Sequence, residues 1–258
     1  MKIVKPFILR RTKKSVIPDL PELSEIIHYC EMSETQAEIY EKEKSAVRNM
    51  ILSAENENFG QQKIQILNSL QRLRQIASHP AMLAEYKDVA SGKFDEVSYM
   101  LDSAYKSEEP VLIFSSYVKH LDKFCDYAKD NHVIYSRLTG DVAQKQREVE
   151  VGRFQDKLAP WFFLSLKAGG VGLNLTAAEY VFLIDPWWNP APEQQAIARA
   201  HRIGQHKNVT AIRFITKDTI EEKIIELQKK KKQLAIDFVQ EDEFFFKLSK
   251  EDMVDLVI

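Results

Sequence analysis

Several things are scarce in this 258-residue chain. It has two cysteines, Cys30 and Cys125. Each stands alone and fits no metal-ligand spacing, so two buried or free thiols in a reducing compartment are expected and no metal site is. No apolar run reaches membrane-spanning length, and the start, M-K-I-V-K-P-F-I-L-R-R, lacks the apolar core and cleavage site of a signal peptide. No membrane partner is expected. The net charge of -2 gives no general attraction to nucleic acid, although a local positive track would suffice for binding. There is no G-x-x-x-x-G-K-[ST] phosphate loop and no D-E-x-H-type motif, the elements that grip β- and γ-phosphates and hold Mg2+. Nor is there an internal repeat or a nucleophile-base constellation.

What is present suits a globular protein. The 45% hydrophobic and 29% charged content fits one large domain, with or without a helical appendage. Its most informative stretch runs from Trp161 to Gln205. Two apolar segments, Trp161 to Leu166 and Tyr180 to Ile184, have the length and residue types of buried parallel strands. The first leads into Ser165, Lys167 and the glycines Gly169, Gly170 and Gly172; the second leads into Asp185, Pro186, Trp187, Trp188, Asn189 and Pro190. Ligands of open α/β sheets sit at such strand ends. Pro192 suits the first turn of a helix, on which Gln195, Arg199 and Arg202 fall at i, i+4 and i+7 and would share one face. An exposed arginine pair can be merely solvated or paired with carboxylates. Here the preceding glycines and the aromatic pair favour a phosphate, whose oxygens suit the planar guanidinium fork.

The segments L-K-A-G-G-V-G-L-N-L-T-A-A, D-P-W-W-N-P and Q-A-x-x-R-A-H-R-I-G-Q, in this order and closely spaced, resemble the carboxyl-terminal motifs of the SWI/SNF-type DNA-translocating ATPases of helicase superfamily 2. Further matches extend along nearly the whole chain. The fold implied is α/β: a RecA-like parallel sheet flanked by helices, with an N-terminal helical protrusion and a C-terminal brace helix.

Taken in order, residues 1–32 resemble the linker between the family's two lobes. The basic run through Arg10 and Arg11 is a candidate DNA or nucleotide contact, and Leu20 to Met32 reads as a strand crossing between lobes. Residues 33–90 form the protrusion. Its first helix starts at a Ser33/Gln36 capping box, Ser53 to Gln62 read as a loop, and a second helix carries Ile64, Leu67, Leu70, Leu73 and Ile76. His79, before Pro80, is expected to terminate that helix. Residues 91–216 form the second RecA-like lobe. A helix through Phe94, Val97 and Leu101 opens it, and strands follow at Val111 to Phe114, Val133 to Leu138, the two central segments and Val209 to Ile215. Residues 217–258 supply the brace helix from Thr219, with a lysine run and the stretch Glu241 to Phe246.

The resemblance also assigns roles. Arg199 and Arg202 become arginine fingers to a γ-phosphate, with Gln195, Gly170, Gly172 and Asn174 beside the nucleotide. Ser115, Thr139, Gly140, Ser165, Lys167 and Trp188 become DNA-facing residues, and Arg147 takes the family's arginine position in its helix, in an internal ion pair. For Ser115 and Thr139 helix or turn capping is the alternative, and for Trp188 it is packing beneath Pro186 and Pro190. ATP and Mg2+ would be held mainly by an upstream lobe carrying the missing phosphate loop, so this chain alone is expected to be inactive. Double-stranded DNA and that lobe are the expected partners of a monomeric chain. The expected location is a bacterial cytoplasm, at the nucleoid, or a nucleus if the source is eukaryotic. A non-enzymatic DNA- or protein-binding scaffold is the alternative; a Rossmann-like transferase is disfavoured because the glycines follow a late strand.

Overall fold

A computed structural model describes residues 20–54, 59–140, 142–169, 172–233 and 248–258. The basic run with Arg10 and Arg11, Gly170, and Glu241 to Phe246 lie outside the described residues.

Six strands form one wholly parallel sheet: β1 (Leu23–Cys30), β2 (Val111–Ser115), β3 (Tyr135–Leu138), β4 (Trp161–Ser165), β5 (Tyr180–Leu183) and β6 (Val209–Thr216). Their order is β1-β6-β5-β2-β4-β3. The central strands β5, β2 and β4 are almost continuously apolar because helices cover both faces. Alternate residues face opposite ways. On one face Val111, Ile113, Trp161, Phe163, Phe182 and Phe214 pack with Val97 and Leu101 of α3 (Gly92–Lys106) and with Leu121 and Phe124 of α4 (Val118–Asp130). On the other, Leu112, Phe114, Phe162, Leu164 and Val181 pack with Phe154 of α5 (Gln144–Gln155) and with Ala196 and Ile197 of α7 (Pro190–Ala200). A single turn, α6 (Leu166–Gly169), follows β4.

The helical hairpin consists of α1 (Glu34–Ser53) and α2 (Phe59–Ser78). Helix α1 begins at the expected capping box, whose Gln36 side chain turns inward, donating to the carbonyls of Ile76 at 2.8 Å and Ala77 at 3.2 Å. Helix α2 starts earlier than its apolar spacing suggested, within the stretch read as a loop. His79 caps the turn after it, its Nδ1 accepting from the Ala81 amide at 3.2 Å. Tyr40, Val47, Ile66, Leu70 and Leu73 of this hairpin share a core with Ile220 and Ile224 of α8 (Ile220–Gln233) and with Met253 of α9 (Lys250–Asp255). The Ile220 amide donates to the Tyr40 hydroxyl at 2.7 Å. The post-sheet helix thus seals the hairpin to this lobe.

The strand read as crossing between lobes is instead an edge of this sheet. Leu23 to Cys30 run beside Val209 to Thr216 over the full length of β6, and Ile26 and Tyr29 stay about half-exposed, as on an edge strand covered unevenly. Beyond β1 the chain passes so close to α3 that a Cβ on Gly92 would lie 2.1 Å from the Glu31 carbonyl oxygen. Glycine is required there by space.

Candidate functional site

The glycine-rich stretch after β4 and the end of α7 are stitched together by main chain. The Leu175 amide donates to the Arg199 carbonyl at 3.1 Å, and Arg202 Nη1 donates to the Leu173 carbonyl at 3.3 Å. Gly172 is exposed with φ +30°, a backbone state that side chains disfavour. Helix α7 ends at Ala200, so Arg202 is not on its face as the i+7 spacing suggested; it lies in the turn after the cap residue His201. That turn closes at Gly204, φ +96°, and Gln205 donates back to the Ala178 carbonyl at 2.9 Å. Burial first, and then the charge of Arg202, pull Arg199 below the ordinary arginine range. Gln195 and Asn174 are exposed, and both arginines are half-buried. Beside Gly172 and Asn174 lies a cavity of about 220 Å³, walled by Gln144, Arg147, Glu148 and Val151. Arg147 Nε donates to the Val142 carbonyl at 2.9 Å, a bond to the lead-in of its own helix where an internal ion pair was expected.

The residues expected to face DNA divide into two groups. Lys167 on α6 and Gly140 after β3 are exposed. They follow the ends of neighbouring strands, β3 and β4, which pair with Leu138 opposite Leu164. The side chains of Ser115, Thr139 and Trp188 are buried, at 0%, 0% and 4% exposure, and that of Ser165 is nearly so at 6%. Ser115 is bonded to Asp185; Thr139 accepts from Arg137 Nη1 at 3.3 Å; the Ser165 hydroxyl accepts from the Ala168 amide at 3.3 Å and so caps α6. Trp188 sits in the core of the hairpin. These four groups support the surface, and their side chains do not form it.

A buried network at the end of β5 explains why. Asp185, 1% exposed, accepts from the hydroxyls of Ser115 and Ser116 and from the Ser116 amide at 2.8 Å, and its Oδ2 lies 3.4 Å from His120 Nδ1. Burial alone would raise its pKa; the bonds from His120, Ser115 and Ser116 hold it below the usual carboxylate range. Arg74 reaches in from α2, 1% exposed, and donates to the Pro186 carbonyl at 2.7 Å. Its guanidinium lies 5.2 Å from the ring centre of Tyr117, 4.9 Å from that of Trp187 and 5.3 Å from that of Trp188. Glu193 accepts from the Trp187 amide at 2.8 Å and from Arg213 Nε at 3.0 Å. Next to this network Lys93 Nζ meets Glu221 Oε2 at 2.5 Å, both side chains being 1% exposed or less. The sequence reading overlooked Arg74, Lys93 and Glu221. Arg74 could have been found: it falls four residues after Leu70, on the apolar stripe of α2, where a charge needs a reason.

The sheet order, the helices on both faces and the glycine loop and arginines at the strand ends define a RecA-like α/β lobe of the helicase type. The model of the Helicase conserved C-terminal domain matches residues 92–204, and that of the SNF2-related domain matches residues 1–82. An uncharacterised ATP-dependent helicase of Mycoplasma genitalium is 36% identical over 99% of the chain and 25% of its own length. The Sulfolobus solfataricus SWI2/SNF2 ATPase core in complex with dsDNA is similar at a TM-score of 0.74 and 32% identity, over 99% of this chain and 55% of that one. The Sulfolobus solfataricus SWI2/SNF2 ATPase C-terminal domain gives a TM-score of 0.72 and 28% identity, over 91% and 98%. The chain belongs to the SNF2-type ATPases of helicase superfamily 2, as the carboxyl-terminal lobe. It spans about a quarter of the length of the curated relatives it matches.

Proposed function

We propose that this lobe completes the nucleotide site of an ATP-driven translocase on duplex DNA, with Arg199 and Arg202 as arginine fingers reaching a γ-phosphate held on another lobe. The observation that carries the reading is the like-charged pair fastened to the glycine strand. The Arg199 carbonyl accepts from the Leu175 amide and the Arg202 guanidinium donates to the Leu173 carbonyl, so both half-buried arginines stand against the glycine stretch and bring there the planar donors that suit phosphate oxygens. Guanidinium groups fit phosphate oxygens and repel a metal ion, so Mg2+ falls to the lobe that bears the phosphate loop. Gln195, Gly172 and Asn174 line the same strip and offer amide groups to the nucleotide; Gly170 is assigned there on resemblance alone. In turnover the arginines would stabilise charge developing on the transferring phosphoryl group, a contribution of about 10³–10⁵ in rate.

DNA would lie along the neighbouring strand ends. Lys167 supplies a positive charge and Gly140 an accessible backbone, contacts that hold phosphates without reading bases. Ser115, Thr139, Ser165 and Trp188 act beneath that surface by fixing the turns that carry it. Displacement or remodelling of DNA-bound proteins is the activity such a motor would drive.

The test is DNA-stimulated ATP hydrolysis by this chain, by the chain joined to its native upstream lobe, and by the joined form with Arg202→Ala. Expected are no turnover from the chain alone, stimulated turnover from the joined protein, and near-complete loss in the variant. Turnover by the chain alone would refute the shared-site reading. An inert joined protein on every DNA tried would favour a scaffold.

A further inference from the structure

We propose that His28, Cys30 and Glu96 form a binding site for a thiophilic divalent cation of the Zn2+ class, with the remaining coordination position open to solvent. His28 and Cys30 are two residues apart on β1 and so share a face of the strand. That face meets α3, which brings in Glu96 from 68 positions beyond His28. His28 Nε2 lies 2.5 Å from Glu96 Oε2, and the imidazole, thiol and carboxylate donor atoms all lie within 4.8 Å of one another.

Ligands around tetrahedral Zn2+ stand roughly 3.3–3.8 Å apart, given bonds of about 2.0–2.3 Å. The trio reaches that geometry if His28 and Glu96 part slightly and turn towards the sulfur. Both side chains are 36% exposed and can turn, whereas Cys30 is fixed in the core at 0% exposure. The donor set decides the kind of ion. One sulfur, one imidazole nitrogen and one carboxylate oxygen suit Zn2+ or Co2+, while Mg2+ and Ca2+ prefer oxygen alone.

Two further contacts orient the ligands. Glu96 Oε1 accepts from the Glu31 amide at 3.3 Å, which leaves Oε2 facing the histidine, and the His28 ring packs 5.4 Å from that of Phe214. Lys93 is the nearby charge that would oppose a cation, and its ammonium is neutralised by Glu221 at 2.5 Å. On binding, the Cys30 S–H bond breaks and its proton leaves to solvent, the proton shared by His28 Nε2 and Glu96 Oε2 is given up, to solvent or to His28 Nδ1, and the sulfur, nitrogen and oxygen each form a bond to the metal. The ion would tie β1, which has a ladder on β6, to the helix lying across it.

The site is tested by titrating the purified chain with Co2+ and watching for a thiolate-to-cobalt charge-transfer band, then displacing Co2+ with Zn2+. Expected is saturation at one equivalent, loss of the band in Cys30→Ser and its retention in Cys125→Ser. His28→Asn and Glu96→Gln, at half-exposed positions that leave the core intact, should weaken binding tenfold or more. Zn2+ should raise the melting temperature of the unaltered chain but not that of His28→Asn. Absence of the band, its survival in Cys30→Ser, its loss in Cys125→Ser, or unchanged affinity in His28→Asn would each overturn the assignment.

Discussion

Two strips lie next to each other at the carboxyl end of this sheet, and they are built on opposite plans. After β5, Asp185 to Trp188 are locked: a buried carboxylate with its oxygens taken by Ser115 and Ser116, a buried arginine among three rings, and Glu193 holding the Trp187 amide. Where the stretch after β4 meets the end of α7, Gly172, Asn174 and Gln195 are open and Arg199 and Arg202 half-open, with the charge of Arg202 bearing on Arg199. Buried polar groups that bond one another favour a single geometry, even where single atoms such as Arg74 Nε and His120 Nε2 find no hydrogen-bond partner. Groups that stay accessible can be reached by a ligand. The first strip therefore sets positions, and in the reading proposed above the second does chemistry.

Substitutions on the two sides should behave as opposites. Arg202→Ala in the joined protein is expected to lower DNA-stimulated turnover by about 10³–10⁵, with folding stability reduced by no more than about 1.5 kcal/mol through the lost bond to Leu173. Lys93→Ala strands the Glu221 carboxylate in the core and should destabilise by about 3–5 kcal/mol in chemical denaturation. Lys93→Met combined with Glu221→Met should recover part of that loss, because neither charge is left without its partner while the Ser78 hydroxyl and the Thr216 amide lose their acceptor. If Arg202→Ala melted the protein as Lys93→Ala does, the division between the strips would collapse.

Acid should act first on the locked side. Burial lowers His79 to about 3, with the nearby His120 and Lys123 charges adding to the effect, and burial also lowers His120 despite its contact with Asp185. Both are therefore neutral when folded, while the unfolded chain takes up protons below about pH 6.5. Stability should fall as pH drops through that value, and His79 alone accounts for about 2 kcal/mol between pH 7 and pH 5. Asp185 acts in the same sense at lower pH: its folded value is also depressed, so its contribution holds above the carboxylate range and is lost as pH falls through it. Denaturation midpoints at pH 7 and pH 5 test this, and His79→Gln should remove a large part of the difference.

Much of this was legible in the sequence, for reasons that also mark where legibility ended. The central strands declared themselves because a parallel strand covered on both faces is apolar at every position, as in Val111 to Phe114. The capping box at Ser33 was equally plain, being a local bond pattern. Strand β1 was placed wrongly because its partner β6 lies far along the chain and nothing local says which edge it joins. Burial of Ser115 and Trp188 was hidden for the same cause, since their partners Asp185 and Arg74 arrive from other elements. Spacing gave Arg199 and Arg202 as neighbours, but it presumed a helix that stops at Ala200. Cys30 looked isolated because Glu96 reaches it through the packing of α3 on β1.

The smallest expected effect tests the comparison at its finest point. Lys167 is exposed and Ser115 is buried, though both were read as facing DNA. In the joined protein Lys167→Ala should weaken duplex binding modestly and reduce the slope of log affinity against log salt by about one, as loss of a phosphate contact does. Ser115→Ala should leave that slope unchanged and instead cost about 1–3 kcal/mol of stability, because Asp185 loses a buried donor. The salt slope reads phosphate contact and the denaturation midpoint reads internal bonding, so each residue is identified by the measurement it does not move. Equal slopes for both variants would place Ser115 on the DNA and require the β2 turn to open when DNA binds.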